Sequence, residues 1–261
     1  MERINSWVSD KTQGKITQIV DSIPPDSLMF LINTIYFKGS WQKQFVLEKT
    51  VTQPFYLNTG EAKNHPLMSN FARYAYHEDE TFQAVGLPYG DGRLSMYVYL
   101  PSEDRSLDDF LQRLTAEGFN SWMEQFRGRE GFIELPRFTQ EYDISLNGVL
   151  RQLGMISAFD AATANFSSIS DQSIAMNEAK HKAVIEVNEE GTEAAAVTSI
   201  RYDIISYNEP FLMNVNRPFF FVIRDNETKS ILFMGSVFEP TLSSELTWWR
   251  LQIHGYFHQV L

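Results

Sequence analysis

Residues 181–207 read HKAVIEVNEEGTEAAAVTSIRYDIISY, a strand-like segment followed by a long connection rich in small residues. The side chains of residues 181–188 alternate in polarity, which predicts a strand with one buried face. Glu189 to Tyr207 separate this strand from a second apolar, strand-like segment at Phe211 to Ile223. The Glu-Ala-Ala-Ala run at 193–196 favours a solvated loop with some helical tendency. A connection of about twenty residues inside a compact domain is uncommon, however, and usually has a function.

The composition of the 261-residue chain excludes wholesale disorder and several kinds of partner. Hydrophobic residues make up 43% of the chain and aromatic residues 14%, enough for a sizeable core. With 22 basic and 33 acidic side chains the net charge is −11, so the chain would repel the backbone of a nucleic acid. No run reaches the ~18–20 apolar residues of a membrane span. The polar start, Met1 to Asp10, does not read as a signal peptide.

Hydrophobic patterning along the rest of the chain predicts many strands and few helices. Residues 2–22 have helical spacing that Gly14 interrupts, and residues 107–126 predict one further helix. The near-continuous apolar run from Ser27 to Phe37 predicts a strand buried on both faces. Asp91-Gly92, inside the apolar stretch 82–100, predicts a β-hairpin. We therefore expect an α+β fold class.

Signatures of enzymes, cofactors and metals are missing from the sequence. It contains no G-x-S-x-G, no G-x-x-x-x-G-K-[ST], no G-x-G-x-x-G and no H-E-x-x-H motif. His254 and His258 have a spacing that suits a metal on one helix face, but the rest of a ligand set is lacking. His65, His77 and His181 are isolated in the sequence, and spacing alone leaves a Ser-His-Asp triad open. With no cysteine there is no disulfide framework and no catalytic thiol, and we expect neither a metal nor a cofactor.

Several other segments occur in an order that, together with residues 181–199, resembles a known family. The chain resembles the serpins, the serine protease inhibitor family, over roughly residues 1–240. The segments that carry the resemblance are NTIYFKGSW (33–41), LSMYVYLP (94–101), IELPRF (133–138), LNGVLRQLGMISAF (146–159), MNVNRPFFFVI (213–223) and ILFMGSVFEP (231–240).

This resemblance implies a fold and a domain organisation. The expected architecture is a serpin-like multi-sheet fold with parts of sheets A, B and C and helices F to I. Residues 1–240 would form a partial serpin domain that lacks the N-terminal third of the family fold, including its first helices. Residues 241–261 match no part of the family and are left as an unassigned C-terminal extension.

The resemblance also implies an inhibitory loop and its reactive bond. In the family a protease cleaves the exposed loop, is trapped as an acyl-enzyme, and the loop inserts into sheet A. Family spacing places the reactive bond between Ile205 and Ser206, which favours elastase-like or other apolar-pocket serine proteases, with cysteine proteases as further targets. Arg201, which suits trypsin-like enzymes, and Tyr207, which suits chymotrypsin-like ones, remain alternatives. The hinge residues would be Glu189, Glu190, Gly191, Thr192, Glu193, Ala194, Ala195 and Ala196.

Four further residues match positions that surround the loop in the family. Asn33 and His181 match a polar pair at the opening of sheet A, and we expect a hydrogen bond between them. Trp41 matches the tryptophan of the breach, where the loop enters the sheet. Arg137 and Glu189 match an ion pair at the top of the sheet; as an ordinary surface pair it would be worth under ~1 kcal/mol.

The expected function is inhibition of serine proteases as a suicide substrate, not enzymatic catalysis, because the inhibitor is consumed stoichiometrically. A non-inhibitory serpin that acts as a binding or chaperone protein is the main alternative, and an inactive truncated fragment is another. Small residues at the hinge favour the inhibitor. The triplets that begin at Asn165 and Asn226 fit N-glycosylation. We expect an extracellular location, with the cytoplasm as the alternative.

Overall fold

The structure is a computed structural model that describes residues 1–25, 27–191 and 209–242. Residues Thr192 to Ala196, the reactive-bond candidates at 201–207 and most of the C-terminal extension lie outside the described residues. The helices are α1 (Glu2–Lys11), α2 (Leu107–Arg113), α3 (Ala116–Gln125) and α4 (Asn147–Gln152), with short 3-10 turns at Leu47–Lys49 and Ser157–Phe159. No helix in these three ranges is both long and apolar enough to cross a membrane.

Eleven strands in the described ranges form two sheets. One has three strands in the order β1-β8-β7, and the other runs β11-β10-β5-β4-β3-β6-β9, with β2 paired to β3. The strands are β1 (Phe30–Tyr36), β2 (Val51–Tyr56), β3 (Ala62–Glu78), β4 (Phe82–Tyr89), β5 (Leu94–Pro101), β6 (Arg127–Pro136), β7 (Phe138–Ser145), β8 (Glu178–Val187), β9 (Phe211–Asn214), β10 (Phe219–Asp225) and β11 (Ile231–Val237).

The chain divides into two compact units, and the first comprises residues 1–37 and 140–185. Here β1 and β8 run parallel, with seven register partners from Phe30↔Glu178 to Tyr36↔Val184. Apolar side chains of α1 and of the segment after it form one cluster with Val184. The Asn5 side chain ties that segment to α1, since its amide donates to the Val20 carbonyl at 2.9 Å and its oxygen accepts from Ile19 N–H at 3.1 Å.

The second unit comprises residues 38–139 and 186–261 and contains the larger sheet. In β10 every residue is buried, and in β5 all but the first are, which accounts for their continuous apolar sequences. On one face, α2 and α3 pack over the sheet through an aromatic cluster. Its buried members are Phe82, Ala84, Tyr97, Tyr99, Leu107, Phe110, Phe119, Phe220 and Val222.

Several sequence predictions agree with the structure and three need correction. The predicted hairpin forms as β4 and β5, and the strand predicted at residues 181–188 forms as the second part of β8. The helix predicted over 2–22 ends at Lys11, because Gly14 adopts a positive φ of 77° and the chain continues without helix. The helix predicted over 107–126 is split, since Thr115 caps α3 by accepting a hydrogen bond from Gly118 N–H at 3.0 Å.

The third correction concerns β1, which was predicted to be buried on both faces. Its residues alternate between half-buried and exposed, and Leu31 and Ile35 are 46% and 37% exposed. Ile32 and Tyr36, on the opposite face, pack against the cluster that α1 builds. Within the described residues, therefore, only one face of β1 is covered.

Candidate functional site

The candidate site is the turn formed by residues 188–191, which follows β8 and directly precedes residues 192–208, outside the described ranges. Gly191 N–H donates to the Asn188 carbonyl at 3.2 Å, and Glu190 N–H donates to the Asn188 side-chain oxygen at 3.1 Å. These bonds close the turn locally. The last residue before the loop is thus held in a defined position.

Gly191 lies against the backbone of residues 39–41 so closely that no side chain fits. Its φ is +97°, and a Cβ there would lie 2.4 Å from the Gly39 carbonyl oxygen and 2.5 Å from the Trp41 nitrogen. Any other residue would combine an unfavourable backbone conformation with a backbone clash. The glycine is therefore required by the close approach of two chain segments.

Trp41 forms the wall against which this turn packs. Its indole stacks on Tyr89 with ring centroids 4.2 Å apart, and the edge of Phe45 lies 6.1 Å away. The indole N–H donates to the Asn188 carbonyl at 2.8 Å, and the backbone N–H donates to the Glu190 carbonyl at 3.1 Å. Burial raises the pKa of Tyr89 well above its usual range, so this ring stays neutral.

Glu189 and Arg137 form a bidentate ion pair beside the turn. Arg137 Nε lies 2.7 and 2.8 Å from the two carboxylate oxygens of Glu189, and its Nη2 lies 2.6 Å from one of them. The Thr50 hydroxyl donates a short hydrogen bond to the same carboxylate. Glu189 is buried and Arg137 is 30% exposed, so the pair is not the freely exposed ion pair considered from the sequence.

The backbone of Arg137 is held by residues that the sequence did not single out for this site. Arg137 N–H donates to the Pro66 carbonyl at 3.0 Å, and the Arg137 carbonyl accepts from the buried His65 ring at 2.5 Å. Because a carbonyl oxygen can only accept a hydrogen bond, this contact requires the His65 Nε2 atom to carry a proton. Thr50 and His65 belong to no sequence motif, and only the folded structure shows that they lie beside the ion pair.

Asn33 and His181, the second predicted pair, are register partners in the first unit. They lie opposite each other on β1 and β8. Asn33 is exposed and His181 is half-buried. Among the described residues no hydrogen bond joins their side chains, so the expected bond is not formed in this structure.

The described residues bring together no metal site, since no group of three or more His, Asp or Glu side chains in them could hold an ion. His254 and His258 lie outside the described residues. The site that the structure does define is a strand that leads into an anchored turn ending at Gly191, the last residue described before position 209.

Comparison with known proteins shows the family to which the chain belongs. A family model described as Serpin (serine protease inhibitor) matches residues 1–240. The chain belongs to the serpin family, and the expected α+β serpin-like fold is confirmed.

Relatives and solved structures of this family are similar to most of the chain. Leukocyte elastase inhibitor of Xenopus tropicalis is 36% identical over 249 residues, which cover 92% of this chain and 66% of that protein. Human Serpin B8 is 37% identical over 247 residues, with the same coverage of 92% and 66%. The native thermophilic serpin tengpin superposes with a TM-score of 0.77 and 32% identity, over 91% of this chain and 62% of that one. Native protease nexin-1 with heparin gives a TM-score of 0.79 and 28% identity, over 92% and 65%.

Proposed function

We propose that this chain inhibits serine proteases as a suicide substrate, through cleavage of a reactive-centre loop that begins after Gly191. The observation that carries the proposal is the direct parallel pairing of β1 with β8, together with the anchored turn into which β8 runs. In the proposed mechanism the loop that continues from β8 folds back as a new strand between β1 and β8, and it must therefore separate this pair. The inhibitor is consumed in the process, so the chain is not an enzyme.

The hinge sequence supports insertion. Side chains of a strand alternate between its faces, so every second residue of an inserting segment points inward. Counted from Gly191, the inward residues are small or uncharged, and Glu193 falls on the outward face. The inward set is Thr192, Ala194, Ala196, Thr198 and Ile200.

The proposed partner is a serine protease with an apolar primary pocket. Ile205 at the proposed reactive bond suits such a pocket, and the similarity to a protein named leukocyte elastase inhibitor points the same way. The net charge of −11 further favours a cationic partner, because opposite charges accelerate association. Cysteine proteases remain further candidate targets.

The test is incubation of the natural protein that contains this chain with an elastase-like protease. We expect an SDS-stable complex and release of a C-terminal peptide that begins at Ser206, identified by mass spectrometry. A peptide beginning at Tyr202 would move the reactive bond to Arg201. Efficient cleavage with no stable complex would contradict the inhibitory function and favour the binding or chaperone alternative.

Thr192 provides a variant for the insertion step. Thr192→Arg should leave loop cleavage intact but turn the inhibitor into a substrate, because an unpaired guanidinium would be forced inward. We expect the number of inhibitor molecules consumed per protease trapped to rise about tenfold or more, equivalent to at least ~1.4 kcal/mol. Glu193→Arg is the matched control, since residue 193 falls on the outward face. Equal trapping efficiency in both variants would show that the assigned inward face is wrong.

We propose an extracellular location, with the cytoplasm as the alternative, and the two glycosylation triplets differ in how they fit it. The side-chain nitrogen of Asn226 donates to the Gly92 carbonyl at 3.0 Å and to the Ser95 hydroxyl at 2.9 Å. A glycan on that nitrogen would displace both bonds. Asn165 is exposed in the first unit, and it is the triplet that a secreted form would use.

A further inference from the structure

The described chain resumes at Glu209, and a second anchor lies at the start of β9. Phe211 is buried at the register position of Gly131, and a Cβ on Gly131 would lie only 2.2 to 2.5 Å from atoms of the Phe211 ring. The Phe211 ring also stacks on Tyr76 with ring centroids 3.9 Å apart, and Tyr74 meets it edge-on at 6.3 Å. The ring therefore occupies a slot that exists because residue 131 has no side chain.

Two side chains also hold the backbone at this anchor. Arg129 Nη2 donates to the Glu209 carbonyl at 3.2 Å, and its guanidinium lies 5.5 Å from the Tyr76 ring centre. Gln83 Nε2 donates to the Leu212 carbonyl at 3.0 Å and to the Tyr76 hydroxyl at 2.8 Å. We call Phe211, Gly131, Tyr76, Arg129 and Gln83 the exit clamp.

We propose that the exit clamp determines which proteases can cleave the chain, because it keeps the Tyr207–Asn208 bond inaccessible to a protease active site. This inference rests on the proposed function, in which residues 192–208 form the cleaved loop. Glu209 and Phe211 are the second and fourth residues after Tyr207, and both are fixed by the clamp. Of the three candidate reactive residues, the clamp thus excludes Tyr207.

The reason lies in how a protease binds its substrate. Residues on both sides of the scissile bond lie extended against the protease, held by main-chain hydrogen bonds. After Tyr207 only Asn208 precedes the clamped Glu209, whereas three residues follow Ile205 before it. Presentation of Tyr207 would require opening of the clamp, with loss of the buried ring contacts and of the β9 pairing to β6. Ile205 and Arg201 precede Glu209 by four and eight residues, so more chain separates their bonds from the clamp.

The loop contains its own matched control, because Tyr202 offers the same primary residue seven positions before Glu209. Brief digestion with chymotrypsin should cut the natural protein after Tyr202 and release a new N-terminus at Asp203. Cleavage after Tyr207, which gives Asn208 as the N-terminus, should be about tenfold slower or more. In each case water adds across the peptide bond, and the two fragments are quantified by mass spectrometry. A synthetic peptide of residues 198–214, which has no clamp, gives the intrinsic ratio of the two cleavages.

Variants of the clamp should restore cleavage after Tyr207. Phe211→Ala removes the ring from the slot. Arg129→Gln removes the hydrogen bond to the Glu209 carbonyl and leaves the slot filled. The second variant therefore still tests the clamp if the first folds poorly. Both variants should shift the ratio of cleavage after Tyr207 to cleavage after Tyr202 toward the ratio measured for the peptide. The shift should be larger for Phe211→Ala. Leu212→Ala is the control on the same strand, since Leu212 is 70% exposed, and should leave the ratio unchanged.

The outcomes separate this inference from the proposed function. A natural protein cut as fast after Tyr207 as the peptide, or clamp variants with an unchanged ratio, would overturn the exit clamp as a specificity device. The expected cleavage ratios with chymotrypsin, together with no SDS-stable complex between the natural protein and an elastase-like protease, would overturn the inhibitory function and leave the clamp standing. Protection of both tyrosines from cleavage would overturn both.

Discussion

Replacing Trp41 by alanine should lower the free energy of unfolding by about 3–5 kcal/mol, the usual loss for a large buried aromatic side chain. The variant loses the stack on Tyr89, the contact with Phe45 and the bond to the Asn188 carbonyl together. That is a large part of the ~5–15 kcal/mol by which domains are stable. Urea unfolding followed by far-ultraviolet circular dichroism measures the loss.

Trp41→Phe is the matched control for this prediction. It keeps an aromatic ring over Tyr89 and removes the indole N–H, which leaves the Asn188 carbonyl without that donor. We expect it to lose about 1–2 kcal/mol, the sum of one hydrogen bond and some packing. An alanine variant as stable as the phenylalanine variant would show that the turn at 188–191 does not depend on an aromatic ring at position 41.

Replacing Arg137 by alanine should have the second largest effect, a loss of about 3 kcal/mol, because it leaves a buried carboxylate without its cation. Of the described side chains bonded to Glu189, that of Thr50 would then remain as a donor. We take the lower end of the range for buried pairs because Arg137 is 30% exposed. The same urea unfolding measurement applies.

Glu189→Gln tests the asymmetry of this pair. The introduced glutamine amide is neutral, and the Arg137 side chain can turn to solvent. The free energy of unfolding of this variant should therefore fall by only about 1 kcal/mol. The double variant Arg137→Ala with Glu189→Gln should be more stable than Arg137→Ala alone, which is the signature of an unpaired buried charge. A double variant less stable than either single one would contradict this explanation.

Features set by neighbouring residues could be predicted from the sequence, and features set by distant ones could not. Asp91-Gly92 specifies a tight turn locally, so the hairpin of β4 and β5 was predicted with nearly correct bounds. Thr115 carries a helix-start signal that was overlooked inside an apolar helical pattern. The exposure of Leu31 depends on which elements cover β1, and no local pattern contains that information.

In the candidate site, family resemblance supplied residues that no local pattern could. Glu189, Arg137 and Trp41 were predicted in this way, and the structure places all three around one turn. Their partners Thr50 and Tyr89 were not predicted, because neither belongs to a segment that carries the resemblance and their contacts are formed only in the folded chain. The slot for Phe211 depends on Gly131. A glycine in a strand indicates that another group approaches closely, but the sequence does not show which residue that is.

The long strand β3 has a consequence for the kinetics of hydrogen exchange. It pairs with β2 through residues 62–67, with β6 through residues 67–76 and with β4 through residues 75–78. Because three neighbours share this one strand, none of them can separate without exposing part of β3, and the larger sheet should open as one cooperative unit. The amide protons at the middle of β3 should therefore exchange with solvent last, at a rate governed by global unfolding of that unit.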